Sequence, residues 1–352
     1  MMSSNLFQAL TLDGFLAVTL TYGEQHIESD WIPLPQGGRF RWLDNGVLLA
    51  EPHDQPEKTL SLVISSGIHG NETAPIEIVD ELVRKLLGGD IKLAVPVLLI
   101  MGNVLAMQVQ QRFVNENMNR LFNGKHAGKT HYEAHRARQL EDYVKTFFRA
   151  YDAPIKRHYD LHTAIRRSHH EKFAIYPYPD GRPWNLEEIN HLECCGVNAI
   201  LLGHQPSSTF SYFSSHACAA YGFTVELGQV KPFGQNDMER FRAVREQLAS
   251  WLSGDNIRRS PKLPKVPVYS VEKELIRRSE DFVFYVDDAV PNFTRFPVGT
   301  CLMKDAEGSY VVQHEDEAIV FPNKNVPVGQ RVGLIVRPVD AASVFGTLSS
   351  NH

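Results

Sequence analysis

Short apolar runs alternate with amphipathic stretches through the first two thirds of the chain. Residues 59–66 and 95–101 are apolar and rich in β-branched side chains, which predicts two buried strands. Between them, Ile76, Val79 and Leu82 recur at helical spacing, and Gly88-Gly89 predicts the end of that helix. The same criteria predict helices over 5–10, 132–149 and 238–252, and strands over 158–162, 173–176, 199–202 and 223–227. Strands that alternate with helices predict an α/β fold, with a mixed, largely parallel sheet flanked by helices.

The pattern changes after residue 255. Pro261, Pro264 and Pro267 lie among lysines and arginines, which predicts a linker over 255–267. Beyond the linker no long helical pattern occurs, and short strands are predicted over 281–286, 299–303, 310–314, 318–321 and 332–337. We therefore expect a larger domain over 1–260 and a smaller, β-rich C-terminal domain over 268–345.

Composition excludes several classes of protein. Hydrophobic residues make up 43% of the chain and charged residues 22%, as is usual for a globular protein. The net charge of -5 argues against a nucleic-acid partner but not against a small anionic ligand in a locally basic pocket. No apolar run is long enough for a membrane span, and no targeting segment is evident. The four cysteines form no CxxC pair, so we expect reduced thiols in a cytoplasmic protein.

A candidate metal site lies in the predicted turn between the first buried strand and its helix. His69 and Glu72 are three residues apart there, and Gly67 and Gly70 permit a sharp turn. Catalytic zinc sites often combine two histidines with one carboxylate and leave a position open for water. About one His-x-x-Glu match is expected by chance in a chain of this composition, so the position in the turn matters more than the spacing.

The third ligand must come from another part of the chain. His162 ends a predicted strand, and Asp160 lies two residues earlier, so both side chains point to the same face of that strand. A carboxylate often orients a histidine that binds zinc, and Asp160 is suited to that role. Taken alone, His162 fits a hydrogen-bonded core histidine equally well.

Four further side chains are candidates for binding and catalysis. Asn119 and Arg120 are adjacent, and together they offer the fork of donors that a substrate carboxylate requires. Arg112 lies upstream in the same segment, where it could stabilise negative charge that develops on a carbonyl oxygen. Glu226 ends an apolar strand and is suited to act as a general base beside a metal-bound water. Taken alone, Arg120 also fits a surface salt-bridge residue and Glu226 a paired residue at a strand end, and the spacing of Arg112 by itself proves little.

Four segments together resemble the zinc carboxypeptidase superfamily and, within it, the succinylglutamate desuccinylase/aspartoacylase family. These segments are GIHGNE at 67–72, NRLF at 119–122, DLHT at 160–163 and VELG at 225–228, in the order that the family has. The resemblance covers nearly the whole chain, including the β-rich C-terminal part. The segments DLHTAIR at 160–166 and STFSYF at 208–213 are similar to family members that act on N-succinyl-L-glutamate.

The resemblance implies a role for each of these side chains. One Zn²⁺ per chain is implied to be bound by His69, Glu72 and His162. Glu226 would activate the water, and Arg112 would polarise the scissile carbonyl. Asn119 and Arg120 would hold a carboxylate of a small anionic acyl amino acid. The implied reaction is hydrolysis of N-succinyl-L-glutamate to succinate and L-glutamate, the last step of arginine degradation by the succinyltransferase pathway.

A substrate with three carboxylates requires several cations in its pocket. Arg166 follows the His162 segment closely and is a further candidate for binding one carboxylate, although a solvated loop charge is an equally simple interpretation. Three alternatives stay open: an aspartoacylase-like or other N-acyl amino acid amidohydrolase, a peptide carboxypeptidase, and a non-catalytic metal-binding protein of the same fold. Glu226 argues against the last one, because metal binding alone requires no base. The oligomeric state is not predicted.

Overall fold

The computed structural model describes residues 2–53 and 59–346, which form one large mixed sheet, a small second sheet and helices on both faces of the large one. The strands are β1 Ile32–Pro33, β2 Arg39–Asp44, β3 Val47–Glu51, β4 Leu60–Ser66, β5 Val97–Met101, β6 Ile155–Ala164, β7 Phe173–Tyr176, β8 Ile200–Leu202, β9 Tyr221–Gln229, β10 Val268–Ile276, β11 Val283–Phe284, β12 Thr294–Arg295, β13 Cys301–Asp305, β14 Gly308–Val311, β15 Ala318–Val320 and β16 Arg331–Val339. The helices are α1 Met2–Tyr22, α2 Thr73–Gly88, α3 Val104–Gln108, α4 Tyr132–Ala150, α5 Leu186–Cys194, α6 Phe210–Cys218, α7 Arg242–Leu252 and α8 Ala341–Phe345. Short 3-10 turns occupy Met118–Arg120 and Met238–Phe241.

The large sheet has 13 strands in the order β1-β2-β3-β5-β4-β6-β9-β7-β8-β10-β16-β15-β12. Its centre, β5-β4-β6-β9, is parallel, while β1, β2 and β3 add antiparallel strands at one edge. At the other edge β10 pairs in parallel with β8 and antiparallel with β16. The predicted mixed α/β sheet is therefore confirmed, and the antiparallel strands lie outside its parallel centre.

The central strands are apolar throughout because both faces of the sheet are covered. On β6, Tyr159 and Leu161 belong to the core beneath α1, α2, α5 and α7. The side chains that alternate with these two along β6, which include His158, point to the opposite face of the sheet. There the ring of His158 contacts the ring of Phe210 in α6. The second core, between the sheet, α4 and α6, includes that phenylalanine. Polar side chains on this face of β6 are thus buried deep in the protein.

Most predicted elements of the first domain are confirmed with small shifts in their ends. α2 ends at Gly89, whose φ of 81° allows the left-handed cap. The helix predicted over 5–10 is part of the longer α1, which Gly14 interrupts with a φ of 92°. The helix predicted over 238–252 begins instead as a 3-10 turn, and its regular part starts at Arg242.

The sequence patterns do not predict several elements, namely β1, β2, β3, α3, α5, α6, β10, β12 and α8. In the C-terminal part, β10, β16, β15 and β12 extend the large sheet, whereas β11, β13 and β14 form the second sheet. Residues 255–267 contain no helix or strand, as expected for the predicted linker. Within the described ranges, no helix combines the length and the apolar character that a membrane span requires.

Candidate active site

The turn after β4 holds two of the predicted metal ligands in the interior. Gly67 has a φ of +63°, which favours glycine, and a Cβ on Gly70 would lie 2.1 Å from the carbonyl carbon of Ala106 in α3. The turn can therefore pack directly against α3. It leaves His69 and Glu72 buried, and Glu72 precedes the first residue of α2.

His162 reaches the same place from β6. This strand lies beside β4 in parallel register, and both strands end at the same edge of the sheet. One ligand atom from each of His69, Glu72 and His162 lies within 4.8 Å of the other two, and this is the one such group among the described residues. The structure thus brings together three side chains that the sequence separates by up to 93 residues, from His69 to His162.

Hydrogen bonds orient both imidazole rings. Nε2 of His69 lies 2.9 Å from Oδ1 of Asn117, and Nε2 of His162 lies 2.8 Å from Oδ2 of Asp160. Because both partners are acceptors, each Nε2 carries the proton and each Nδ1 is left for a cation. Asp160 occupies the position expected for an orienting carboxylate. Asn117 was not predicted, and only its place two residues before Asn119 could have suggested it.

The charges of the three groups depend on one another. Burial opposes ionisation of Glu72, but the two histidines outweigh it and hold the pKa of Glu72 well below its usual range. Burial also opposes protonation of His162, yet Asp160 and Glu72 raise its pKa well above the ordinary value. His69 differs, because burial and the charge of Arg112 lower its pKa to about 4. The pocket therefore favours a cation between Glu72 and His162.

These residues fit a resident metal ion. Nδ1 of His69 is buried and has no hydrogen-bond partner among the described residues, although Oε1 of Glu72 lies 2.8 Å away and out of line for a hydrogen bond. Nδ1 of His162 lies 2.9 Å from Oε2 of the same carboxylate. A metal ion would take the place of the proton on Nδ1 of His162, and two neutral imidazoles with one carboxylate are a donor set that catalytic zinc sites use.

Glu226 lies beside the metal group because β9 is the next strand of the parallel centre. It pairs in register with His162 and is 7% exposed. Its Oε2 has no hydrogen-bond partner in the described part of the chain. Burial and the negative charge of Glu72 raise the pKa of Glu226 to about 7, against the opposing charges of His162 and Arg112. A carboxyl group with that pKa is suited to accept and return a proton near neutral pH.

Arg112 faces the metal group from the loop after α3. Its Nη1 lies 2.6 Å from Oε1 of Glu72. The loop is fixed by Glu133, a buried residue of α4 that accepts hydrogen bonds from the backbone N–H groups of Val114 at 2.6 Å and Asn115 at 3.0 Å. Arg112 is thus held against the carboxylate of Glu72. The anchoring role of Glu133 was not predicted.

Asn119 and Arg120 lie in the 3-10 turn near the same site. Oδ1 of Asn119 accepts a hydrogen bond of 2.9 Å from the N–H of Phe210, which leaves the amide NH₂ free to donate to a ligand. Arg120 bonds the carbonyl oxygen of Asn119 at 2.9 Å and forms no ion pair with a described carboxylate. Burial, Arg331 and Arg112 together lower the pKa of Arg120 to about 9. This excess of positive charge favours an anionic ligand.

Arg331 was not predicted as part of the site, because it lies in the β-rich C-terminal part. It begins β16, and its Nη1 lies 3.4 Å from Glu274 of β10.

Arg166, which the sequence suggests as a further substrate-binding residue, forms an ion pair with the C-terminal part of the chain. Its Nη2 lies 2.9 Å from Oδ1 of Asp288, and its Nη1 bonds the carbonyl oxygen of the same residue. The guanidinium of Arg166 is therefore already occupied by the C-terminal part.

A mixed α/β sheet that holds a His-Glu-His group and a carboxyl of raised pKa at the ends of its parallel strands defines a class, the metal-dependent hydrolases. A family model described as the succinylglutamate desuccinylase/aspartoacylase catalytic domain matches residues 58–252. A second model, the AstE/AspA barrel-sandwich hybrid domain, matches residues 264–339. The chain belongs to the succinylglutamate desuccinylase/aspartoacylase family.

Relatives of similar length are found in several bacteria. The succinylglutamate desuccinylase of Shewanella piezotolerans is 43% identical over 94% of this chain and 97% of its own length. That of Shewanella pealeana is 45% identical over 93% of this chain and 96% of its own length. Among solved structures, the succinylglutamate desuccinylase of Chromobacterium violaceum is 38% identical, with a TM-score of 0.81 over 93% of this chain and 98% of that one. The enzyme of Vibrio cholerae has a TM-score of 0.84 at 32% identity, covering 94% of this chain and 96% of that one.

Proposed function

We propose that this chain hydrolyses the amide bond of N-succinyl-L-glutamate to give succinate and L-glutamate, the last step of arginine degradation by the succinyltransferase pathway. The observation that carries the proposal is the placement of Glu226 in register with His162, beside His69 and Glu72. Relatives that bear this enzyme's name and match nearly the whole chain support the choice of substrate.

The metal is proposed to be one zinc ion per chain, held by Nδ1 of His69, Nδ1 of His162 and the carboxylate of Glu72. A bound zinc ion lowers the pKa of a water ligand to about 7 and polarises a carbonyl oxygen. The donor set of two imidazoles and a carboxylate supports zinc, although other transition metals accept the same ligands. Asn117 and Asp160 keep the proton on Nε2 of each ring, which directs both Nδ1 lone pairs inward.

Glu226 is proposed as the group that moves the proton. Its carboxylate accepts a proton from the attacking water while the water oxygen bonds to the succinyl carbonyl carbon. The same carboxyl then gives this proton to the glutamate nitrogen as the amide C–N bond breaks. The raised pKa of Glu226 suits both steps near neutral pH. A carboxyl group whose pKa lies near the pH of the reaction can accept a proton in the first step and donate it in the second.

The remaining cations are proposed to orient the substrate. Arg112, which already contacts Glu72, stabilises the negative charge that develops on the carbonyl oxygen. The free amide NH₂ of Asn119 and the guanidinium of Arg120 bind one substrate carboxylate. Arg331 adds positive charge near Arg120, and Arg166 stays a candidate for a further carboxylate. N-Succinyl-L-glutamate has three carboxylates, which matches a pocket rich in guanidinium groups.

A substrate panel tests this proposal against an aspartoacylase-like activity. Hydrolysis of N-succinyl-L-glutamate is compared with that of N-acetyl-L-aspartate and N-acetyl-L-glutamate, and the metal content of the same sample is measured. We expect the highest kcat/KM with N-succinyl-L-glutamate, loss of activity with a chelator, and recovery with zinc. A clear preference for N-acetyl-L-aspartate would replace the proposed substrate. Full activity in metal-free protein would reject the mechanism.

The boundaries of 1–260 for the catalytic domain and 268–345 for the β-rich domain are proposed on the sequence pattern. Cytoplasmic location and the lack of a nucleic-acid partner also stay predictions from composition.

A further inference from the structure

A chain of hydrogen bonds runs from the predicted metal ligand His162 into the interior. Beyond the contact between His162 and Asp160, Oδ1 of Asp160 accepts a hydrogen bond of 2.6 Å from the hydroxyl of Ser65. Oγ of Ser65 lies 2.8 Å from Nε2 of His158, and Nδ1 of His158 lies 2.7 Å from Oγ of Ser214. All five side chains are buried, so the chain excludes water.

The partners assign a direction to each proton in the chain. The carboxylate of Asp160 can only accept, so Ser65 donates its hydroxyl proton to it and must accept from His158. His158 therefore carries its proton on Nε2. Burial lowers the pKa of His158 to about 4, so the ring is neutral near pH 7 and its Nδ1 accepts from Ser214. This tautomer satisfies Ser65 and Asp160, while the hydroxyl of Ser214 shares its one proton between Nδ1 of His158 and the carbonyl oxygen of Ser211, which lies 3.0 Å away.

The chain ends on a helix that also touches the substrate side of the pocket. Ser214 lies in α6, and the ring of His158 meets Phe210 of the same helix edge-on, with centroids 4.6 Å apart. The N–H of Phe210 is the donor that fixes the amide of Asn119. Thus α6 is connected to the metal ligand through one end of the chain and to the predicted carboxylate site through its backbone.

We infer that Ser65, His158 and Ser214 form a positioning chain, which holds Asp160 so that His162 presents Nδ1 to the metal. None of the three contacts the metal ligands directly. They act through Asp160, whose buried carboxylate requires a donor at each oxygen: His162 serves one and Ser65 serves the other. The inference rests on the proposed metal site but not on the identity of the substrate.

Loss of the Ser65 hydroxyl leaves one oxygen of Asp160 without a donor in a place that water does not reach. The carboxylate can then turn, which weakens its hold on Nε2 of His162. Partners of metal-bound histidines typically change metal affinity by about 10–100-fold. Because Ser65 acts one step further out, we expect the lower end of that range.

The strand offers a matched control. Ser65→Ala and Ser66→Ala make the same change at adjacent, buried positions of β4, but the hydroxyl of Ser66 bonds the carbonyl oxygen of Ile100 at 3.3 Å instead. Zinc affinity is measured on the metal-free proteins by competition with a chromophoric chelator. We expect roughly tenfold weaker binding for Ser65→Ala and unchanged binding for Ser66→Ala. The visible spectrum of the cobalt-loaded proteins should change in the first variant only.

The far end of the chain provides a second variant in case Ser65→Ala folds poorly. Ser214→Ala should weaken zinc binding in the same direction, and the double variant should bind zinc no more weakly than Ser65→Ala alone. Equal zinc affinity and equal cobalt spectra in wild type, Ser65→Ala and Ser214→Ala would overturn the inference. Additive losses in the double variant would overturn it too. If the wild-type protein itself binds no zinc, the proposed function fails first.

Discussion

Replacement of Glu226 by glutamine should separate the catalytic role of this residue from its effect on stability. Glutamine keeps the shape of the side chain but cannot accept the proton. General base catalysis typically contributes about 10²–10⁴-fold, so we expect kcat to fall by at least about a hundredfold. The metal ligands are untouched, so Glu226→Gln should retain its zinc.

The same change should stabilise the metal-free protein, because Glu226 is buried close to the charge of Glu72. The pKa of Glu226 is raised from 4.5 to about 7, so the folded state binds a proton more tightly than the unfolded state does. Ionisation in the folded protein then costs up to about 3 kcal/mol above pH 7, at 1.36 kcal/mol per pKa unit. Below pH 4.5 the carboxyl is protonated in both states and the cost disappears.

Urea unfolding of the metal-free proteins at pH 4.5 and pH 8 measures this difference. We expect Glu226→Gln and wild type to have similar free energies of unfolding at pH 4.5. At pH 8 the variant should be more stable by up to about 3 kcal/mol, because it lacks the ionisation cost. A gap that is the same at both pH values would refute the electrostatic reasoning, and near-normal kcat would remove Glu226 from its catalytic role.

Two arginine variants test the assignment of the substrate carboxylates. Arg120→Met should lower kcat/KM for N-succinyl-L-glutamate by roughly 10–100-fold, since a hydrogen bond to a charged group contributes about 1.5–3 kcal/mol; an unchanged kcat/KM would exclude Arg120 from binding. Arg166→Gln should raise KM less than Arg120→Met does, because its guanidinium is already bound to Asp288. A larger effect on KM at Arg166 would mean that substrate displaces Asp288, and Asp288→Asn is the matched control.

Some of the missed elements had signals in the sequence. Strand β2 has the sequence RFRWLD, which alternates between polar and apolar residues over its first four positions, and the hairpin to β3 turns at Asn45-Gly46, a pair that favours tight hairpins. In contrast, β10 carries Glu272, Lys273 and Glu274 in succession, and a bulge after Val271 breaks its alternation. The sequence of β10 therefore lacks the alternation of polar and apolar residues that predicts a strand. Its strand conformation follows from its pairing with β8 and β16.

Helix α6 illustrates a different limit. Its sequence, FSYFSSHAC, is rich in serine and aromatic residues, which have modest helix propensity. Thr209 provides an N-cap, accepting from the N–H of Tyr212, but a cap alone predicts little. Packing of Phe210 and Phe213 in the second core stabilises the helix. The contacts of α6 with Asn119 and His158 therefore could not be predicted from local sequence patterns.

Those parts of the site that lie close together in the chain can be predicted from local sequence patterns. The apolar run of β4, the glycine turn and the amphipathic α2 are encoded within about thirty residues, so His69 and Glu72 could be placed together from spacing and turn chemistry. The order of four short segments then predicted the family, and with it His162 and Glu226. These expectations required no knowledge of strand pairing.

The distant groups that complete the site are brought there by strand pairing and packing. Asn117 orients His69 across 48 residues, Ser65 holds Asp160 across 95, and Arg331 reaches the surroundings of Arg120 from the C-terminal part. Strand order and register set these contacts, and neither follows from local periodicity because pairing partners lie far apart in the chain. The same register places Glu226 beside His162, where burial changes the proton affinity of both.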